Sequence, residues 1–116
     1  IRLRAGTQAE IYNSIITGKA KCITLETEQT EQALLSGTSM LQHIAMSSDL
    51  NSENGIYTAE MFAAATGNST DYVNALANDY VGTISGGVTP NDPFFTRVDY
   101  KGAVSASDDW TSGWTL

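Results

Sequence analysis

Apolar and polar positions alternate from the first residue. Ile1-Arg2-Leu3-Arg4 has the period of a strand with one face buried and one in water. A shift of 22 positions lays Ile23-Thr24-Leu25-Glu26 on it with the same alternation. A second strand, residues 11–17 (IYNSIIT), ends at Gly18, and residues 41–47 (LQHIAMS) repeat it at an offset of 29 or 30. The unequal offsets leave about eight extra residues in the second pass. Glu28 to Gly37 (EQTEQALLSG) is the obvious insertion, a polar or helical excursion that adds little loop-closure entropy. The pattern therefore predicts two strand-rich passes, residues 1–21 and 22–48, stacked in parallel as coils that cannot bury their inner faces alone. Stacking of this kind would set Arg4 beside Glu26 on the outer face, about 4.8 Å away. An αβ sandwich with fortuitous alternation is the competing arrangement.

After Ser48 the pattern changes. Residues 49–55 are polar apart from Leu50 and read as a loop. Helix signals then begin: Tyr57 to Thr66 has Thr58 as N-cap, Glu60 in the first turn and Gly67 as a terminator. Residues 69–81 (STDYVNALANDYV) carry an apolar stripe at Tyr72, Val73, Leu76, Ala77 and Tyr80, which predicts a second helix antiparallel to the first. Gly82 to Pro93 is turn-rich, with a turn expected at Pro90-Asn91-Asp92. Phe94 to Ser105 alternates again, as a strand would, and Trp110 and Trp114 stand four residues apart near the end. Nine of the ten aromatic residues follow Asn54, so Phe62, Tyr72, Tyr80, Phe94, Phe95, Trp110 and Trp114 are expected to cover the open end of the stacked strands.

Charge narrows the partners. The net charge is −7, and residues 22–96 hold nine acidic side chains and no Lys or Arg. Such a surface repels phosphate, which argues against nucleic acid and anionic membrane. No apolar run of 18 residues exists, so nothing is expected to insert into a membrane. Cys22 is the single cysteine, which excludes an internal disulfide and a cysteine zinc site and reads as a half-buried thiol.

Candidate chemistry is sparse. Asp49, Asn51, Glu53 and Glu60 occupy positions 1, 3, 5 and 12 of a loop similar to an EF-hand calcium site, with Asn54 where that loop has glycine. Calcium is the one cofactor the spacing suggests. His43 is the sole histidine, and no G-x-S-x-G elbow surrounds the serines near it in sequence. It reads as a structural or an exposed histidine. Phosphate-loop, dinucleotide, haem and zinc patterns are absent from the sequence. Tyr100, Trp110 and Trp114 are candidates for contact with carbohydrate.

Two stretches carry a resemblance. The run LRAGTQAEIYNSIITG, with its Gly-Thr turn, Asn13 and Gly18 exit, resembles a coil of right-handed parallel β-helix proteins. The ending VDYKGAV…DDWTSGWTL resembles the C-terminal segment of large secreted or surface-anchored bacterial proteins that carry such helices. In that fold Asn13 would join an interior asparagine ladder, from which His43 or Gln42 departs. The resemblance implies a mainly β fold with α: the terminal coils of a β-helix (residues 1–48) capped by a helical hairpin and an aromatic-rich segment (residues 49–116), one unit of a longer or processed protein. It further implies an extracellular or cell-surface location and a non-enzymatic structural role, self-associating or assembled with other chains. Two other roles stand beside it: a carbohydrate-binding or polysaccharide-degrading protein with catalysis elsewhere, and a calcium-stabilised adhesion module.

Overall fold

The computed structural model describes residues 1–87 and 92–114. In chain order the elements are β1 (Arg2–Leu3), β2 (Glu10–Ile16), β3 (Thr24–Leu25), α1 (Glu28–Leu35), β4 (Met40–Met46), β5 (Asn51–Ser52), α2 (Ala59–Ala64), β6 (Val81–Gly82) and β7 (Val104–Ser105). Strand order is β1-β3-β5 in one sheet, β2-β4 in a second and β6-β7 in a third, and every pairing is parallel.

Local pairing follows the offsets of the sequence. Leu3 pairs with Leu25, 22 positions on, and Glu10 to Ile16 run beside Met40 to Met46 at an offset of 30. The β2-β4 ladder is interrupted only at Asn13 and His43, which face each other in the register and both adopt left-handed backbone, φ 49° and 54°. Asn and His tolerate this conformation better than most residues. Because both strands kink at the same rung, pairing resumes without a slip at Ser14 and Ile44. The kink breaks the period-two alternation, so Ile44, Ala45 and Met46 are all buried.

The larger architecture differs from the expectation. The described residues show no β-helix coils: the strands fall into three separate sheets of three, two and two strands, and five of the seven strands are two residues long. The ion pair expected at Arg4 is made instead by Arg2, whose guanidinium reaches Glu26 at 2.6 Å and Glu53 at 3.7 Å. The pair is diagonal, since Arg2 stands opposite Thr24 in the register, and, exposed as it is, it adds little to stability.

The helical hairpin is also absent. α2 forms as read, with the Thr58 side chain accepting from Met61 N–H at its start. Residues 69–81 are not helical. Instead the chain from Thr66 to Tyr72 runs along the free edge of β4: Thr66 accepts from His43 N–H, Ser69 bonds both Ile44 and Met46, and Tyr72 N–H reaches Met46. A helix starting at Ser69 would leave its first N–H groups without partners, whereas the strand edge satisfies them. Farther on, Asn78 and Asp79 both take left-handed backbone and close a turn between Ala77 and Val81. The expected strand over 94–105 is reduced to β7 and a single bridge from Tyr100 to Ser85. The turn at Pro90-Asn91-Asp92 falls largely outside the described residues.

The core crosses residue 48. Leu3, Ile23, Leu25, Leu41, Ile44 and Met46 pack with Leu50, Tyr57 and Phe62, and Cys22 is fully buried among them rather than half-buried. The insertion between β3 and β4 is α1, and it packs inward: Thr30, Glu31, Ala33 and Leu34 are buried. The aromatic lid does not form. Of the residues expected in it only Phe62 enters the core, where Tyr57 joins it, while Tyr80, Phe94, Phe95, Trp110 and Trp114 are exposed. Among the described residues no helix is long and apolar enough to cross a membrane.

Candidate functional site

The acidic loop after β4 is organised by a residue outside it. Glu31 projects from α1 into the loop with no exposed surface. Its carboxylate accepts five hydrogen bonds. Oε2 takes Ser52 Oγ at 2.7 Å, Ile56 N–H at 2.7 Å and Tyr57 N–H at 2.8 Å; Oε1 takes Asn54 N–H at 2.9 Å and Asn54 Nδ2 at 3.0 Å. Burial is the largest single influence on this carboxyl and opposes ionisation. It is outweighed by the hydrogen bonds from Ser52, Tyr57 and Asn54 together, which hold the group at about 2.

The loop therefore turns its donors toward a protein anion. Of the calcium candidates, Asp49, Glu53 and Glu60 are exposed and Asn51 sits half-buried in β5. The structure does not gather them: among the described residues no group of three or more His, Cys, Asp or Glu side chains is placed to hold a metal ion. We expect addition of calcium or of EDTA to leave the melting temperature unchanged within about a degree, since loop closure already has its anion in Glu31.

A second constellation surrounds His43. The imidazole lies between Gly67 and Gly87, so close that a Cβ on either would overlap the ring. Among the described residues its Nε2 is buried without a hydrogen-bond partner. Gly87 N–H donates to Asn13 Oδ1 at 2.8 Å, and Lys101, buried beside them, donates from Nζ to the Gly67 carbonyl at 2.7 Å. Burial pushes the Lys101 ammonium below its ordinary value. This cluster ties residues 86–87 and 100–102 to β2 and β4. The ring fills its space, so the geometry is that of a clasp rather than an open site.

The open site lies at the C-terminal end. Trp110 is 56% and Trp114 68% exposed, their ring centroids 5.6 Å apart and tilted by 35°. Each indole N–H is tethered at 2.8 Å to a backbone carbonyl, Trp110 to Ala103 and Trp114 to Trp110. The turn carrying them is held by Asp109, which accepts from Thr111 N–H and Oγ1 and from the Tyr80 hydroxyl. The Thr111 side chain is the main reason the Asp109 carboxyl lies below its ordinary value.

Trp110 forms one wall of a cleft of about 460 Å³ whose other walls include Thr96, Val98, Tyr100, Ala103 and Asp108. The Tyr100 hydroxyl donates to Asp108 Oδ2 at 3.2 Å. Burial first, and then the Asp108 charge, push the Tyr100 phenol above its ordinary value, so it stays a neutral donor. A neighbouring hollow of about 410 Å³ adds Arg97, Asp99 and Ser107 around the same Tyr100 and Asp108. Of the three carbohydrate candidates, the structure thus brings Tyr100 and Trp110 to one cleft and sets Trp114 against Trp110.

Asp108 and Arg97 are not singled out by sequence reasoning, although the Asp-Asp-Trp run and the strand-like alternation near Arg97 place them close by. Glu31 and the Gly67–His43–Gly87 contact have no local signal at all. Comparison with protein-family models, with curated proteins and with solved structures finds no match for the chain.

Proposed function

We propose that the protein binds carbohydrate through the cleft between residues 96–103 and 108–110. What supports this reading is a pair of exposed indoles whose edges are hydrogen-bonded to backbone, so the faces are presented in a fixed orientation at no further ordering cost. The C–H face of a sugar ring is apolar and weakly positive, and complements the negative face of an indole. Hydroxyl groups around the ring need donors and acceptors, which Tyr100, Asp108 and Ser107 supply at the rim. A stacked nucleobase would suit the indoles equally, but its phosphate meets a chain of net charge −7. The reading puts the protein at the extracellular or cell surface, where polysaccharide is met.

The test is titration of the intact chain with a panel of neutral gluco-, manno- and xylo-oligosaccharides, followed by tryptophan fluorescence and calorimetry. Saturable binding to at least one is expected, and Trp110→Ala is expected to weaken it about tenfold or more, as loss of a central aromatic anchor does. A panel without saturable binding, or a Trp110→Ala variant that binds as tightly, overturns the reading. A self-associating structural role gives a different result: the same substitution changes the sedimentation profile and no sugar binds.

A further inference from the structure

We infer that the glycan is an extended, uncharged chain, and that the cleft on the β2 side of residues 95–98 is its second subsite. The inference rests on the sugar-binding reading of the first cleft. Thr96 and Val98 line both clefts, so the segment that carries them is a shared wall.

The second cleft has a volume of about 390 Å³ and its other wall is Glu10 to Ser14 of β2. Glu10 to Ser14 are consecutive, and the kink at Asn13 interrupts the alternation of their side chains, so the cleft is lined by this whole stretch of β2. The cleft passes beside the Asn13 kink, where Gly102 N–H donates to the Asn13 carbonyl at 2.7 Å. The Tyr12 carbonyl already accepts from Ser14 Oγ at 2.9 Å, so the side-chain oxygens of Glu10 and Tyr12 at this wall are what a hydroxyl-bearing ring can use.

Aromatic surface recurs here. Phe95 is half exposed at one side, its ring held edge-to-face by Phe94 with centroids 5.1 Å apart. Tyr12 lies on the other side, its hydroxyl bonded to Met40 Sδ at 3.0 Å and, more loosely, to Glu10 at 3.4 Å. The pairing of an aromatic face with a carboxylate rim repeats that of Trp110 with Asp108. Around the two clefts and the turn that carries the indoles, Glu10, Asp99, Asp108 and Asp109 stand against Arg97 and the buried Lys101, whose Nζ is turned to the Gly67 carbonyl. A uronate or sulfated glycan would be repelled by that balance, while a neutral one would not.

The experiment titrates the intact chain with neutral gluco-oligosaccharides of two, four and six residues, and with oligogalacturonates of the same lengths. Affinity for the neutral series is expected to rise about tenfold from two to six residues. Phe95→Ala, at an exposed position, is expected to remove most of that rise and leave disaccharide binding unchanged. Trp110→Ala is expected to weaken all lengths alike. Length-independent affinity, an equal effect of Phe95→Ala at every length, or oligogalacturonate binding as tight as the neutral series would overturn the second subsite. If Trp110→Ala has no effect at any length, the reading of the first cleft falls and takes this one with it.

Discussion

Glu31→Gln is expected to lower the free energy of unfolding by about 3 kcal/mol or more at pH 7. Holding a buried carboxyl at about 2 rather than 4.5 corresponds to about 3 kcal/mol, at about 1.4 kcal/mol for each tenfold change in the equilibrium. The amide keeps the shape of the side chain but offers one acceptor oxygen in place of two and turns an NH₂ group toward N–H donors. Backbone donors at Asn54, Ile56 and Tyr57 then compete for one oxygen, and each one left buried without a partner costs about 1–3 kcal/mol. For a domain whose whole stability is of order 5–15 kcal/mol this is a large share. Because the folded carboxyl is depressed, its contribution is fully present above pH 4.5 and is lost as the pH falls toward 2. Urea unfolding of both proteins across that window checks the assignment: the two stabilities should converge as the pH falls. A constant difference from pH 7 to pH 2 would show that the hydrogen bonds, and not the charge, carry the effect.

Gly87→Ala is expected to cost about 1–3 kcal/mol, the range for overpacking a filled site. Backbone strain plays no part, since Gly87 does not sit at positive φ; the added methyl simply has nowhere to go beside the His43 ring. Gly67→Ala is a poorer probe, because φ at Gly67 is 72° and the two causes would be mixed. His43→Gly removes the ring and suits the left-handed backbone at that position. In the double variant the methyl added at position 87 finds space, so thermal unfolding should give a coupling of about 1 kcal/mol or more between the two sites. Strict additivity would show that the imidazole is not what residues 86–87 pack against. The loss should also appear as faster amide exchange at Gly87 and Gly102, whose N–H groups donate to Asn13.

The elements differ in how far they are legible along the chain. The parallel neighbours Leu3 and Leu25 are legible because period-two alternation repeats at a fixed offset, and a one-residue slip would turn every apolar side chain to the wrong face. Thr58 is legible because N-capping depends only on residues within one turn. The stripe at 69–81 misleads, since a 3.6-residue period says nothing about a neighbouring strand edge whose carbonyls and amides need partners; Val73, placed on the apolar face of the expected helix, is 81% exposed. Clustering of aromatic residues toward the end of the chain predicts burial, yet burial depends on where the core stops, and here it stops near Phe62. Of the candidate site, Tyr100 and Trp110 are legible as aromatic residues near the end, but the cleft that joins them to Asp108 depends on a fold-back that no local pattern encodes.

By itself, then, the amino-acid order determined the features set by near neighbours and by repetition: that β1 runs beside β3 and β2 beside β4, where the helix capped by Thr58 begins, and that the chain is acidic with a single histidine and a single cysteine. Only the tertiary structure decided what those pieces are for. It drew Glu31 beneath a loop more than 20 residues away, closed two glycines on His43, left the indoles in solvent beside Tyr100, and divided the strands among three small sheets in place of one continuous coil. The reason is that burial and hydrogen-bond satisfaction are settled between segments far apart in the chain, whereas alternation and capping are settled within a few residues.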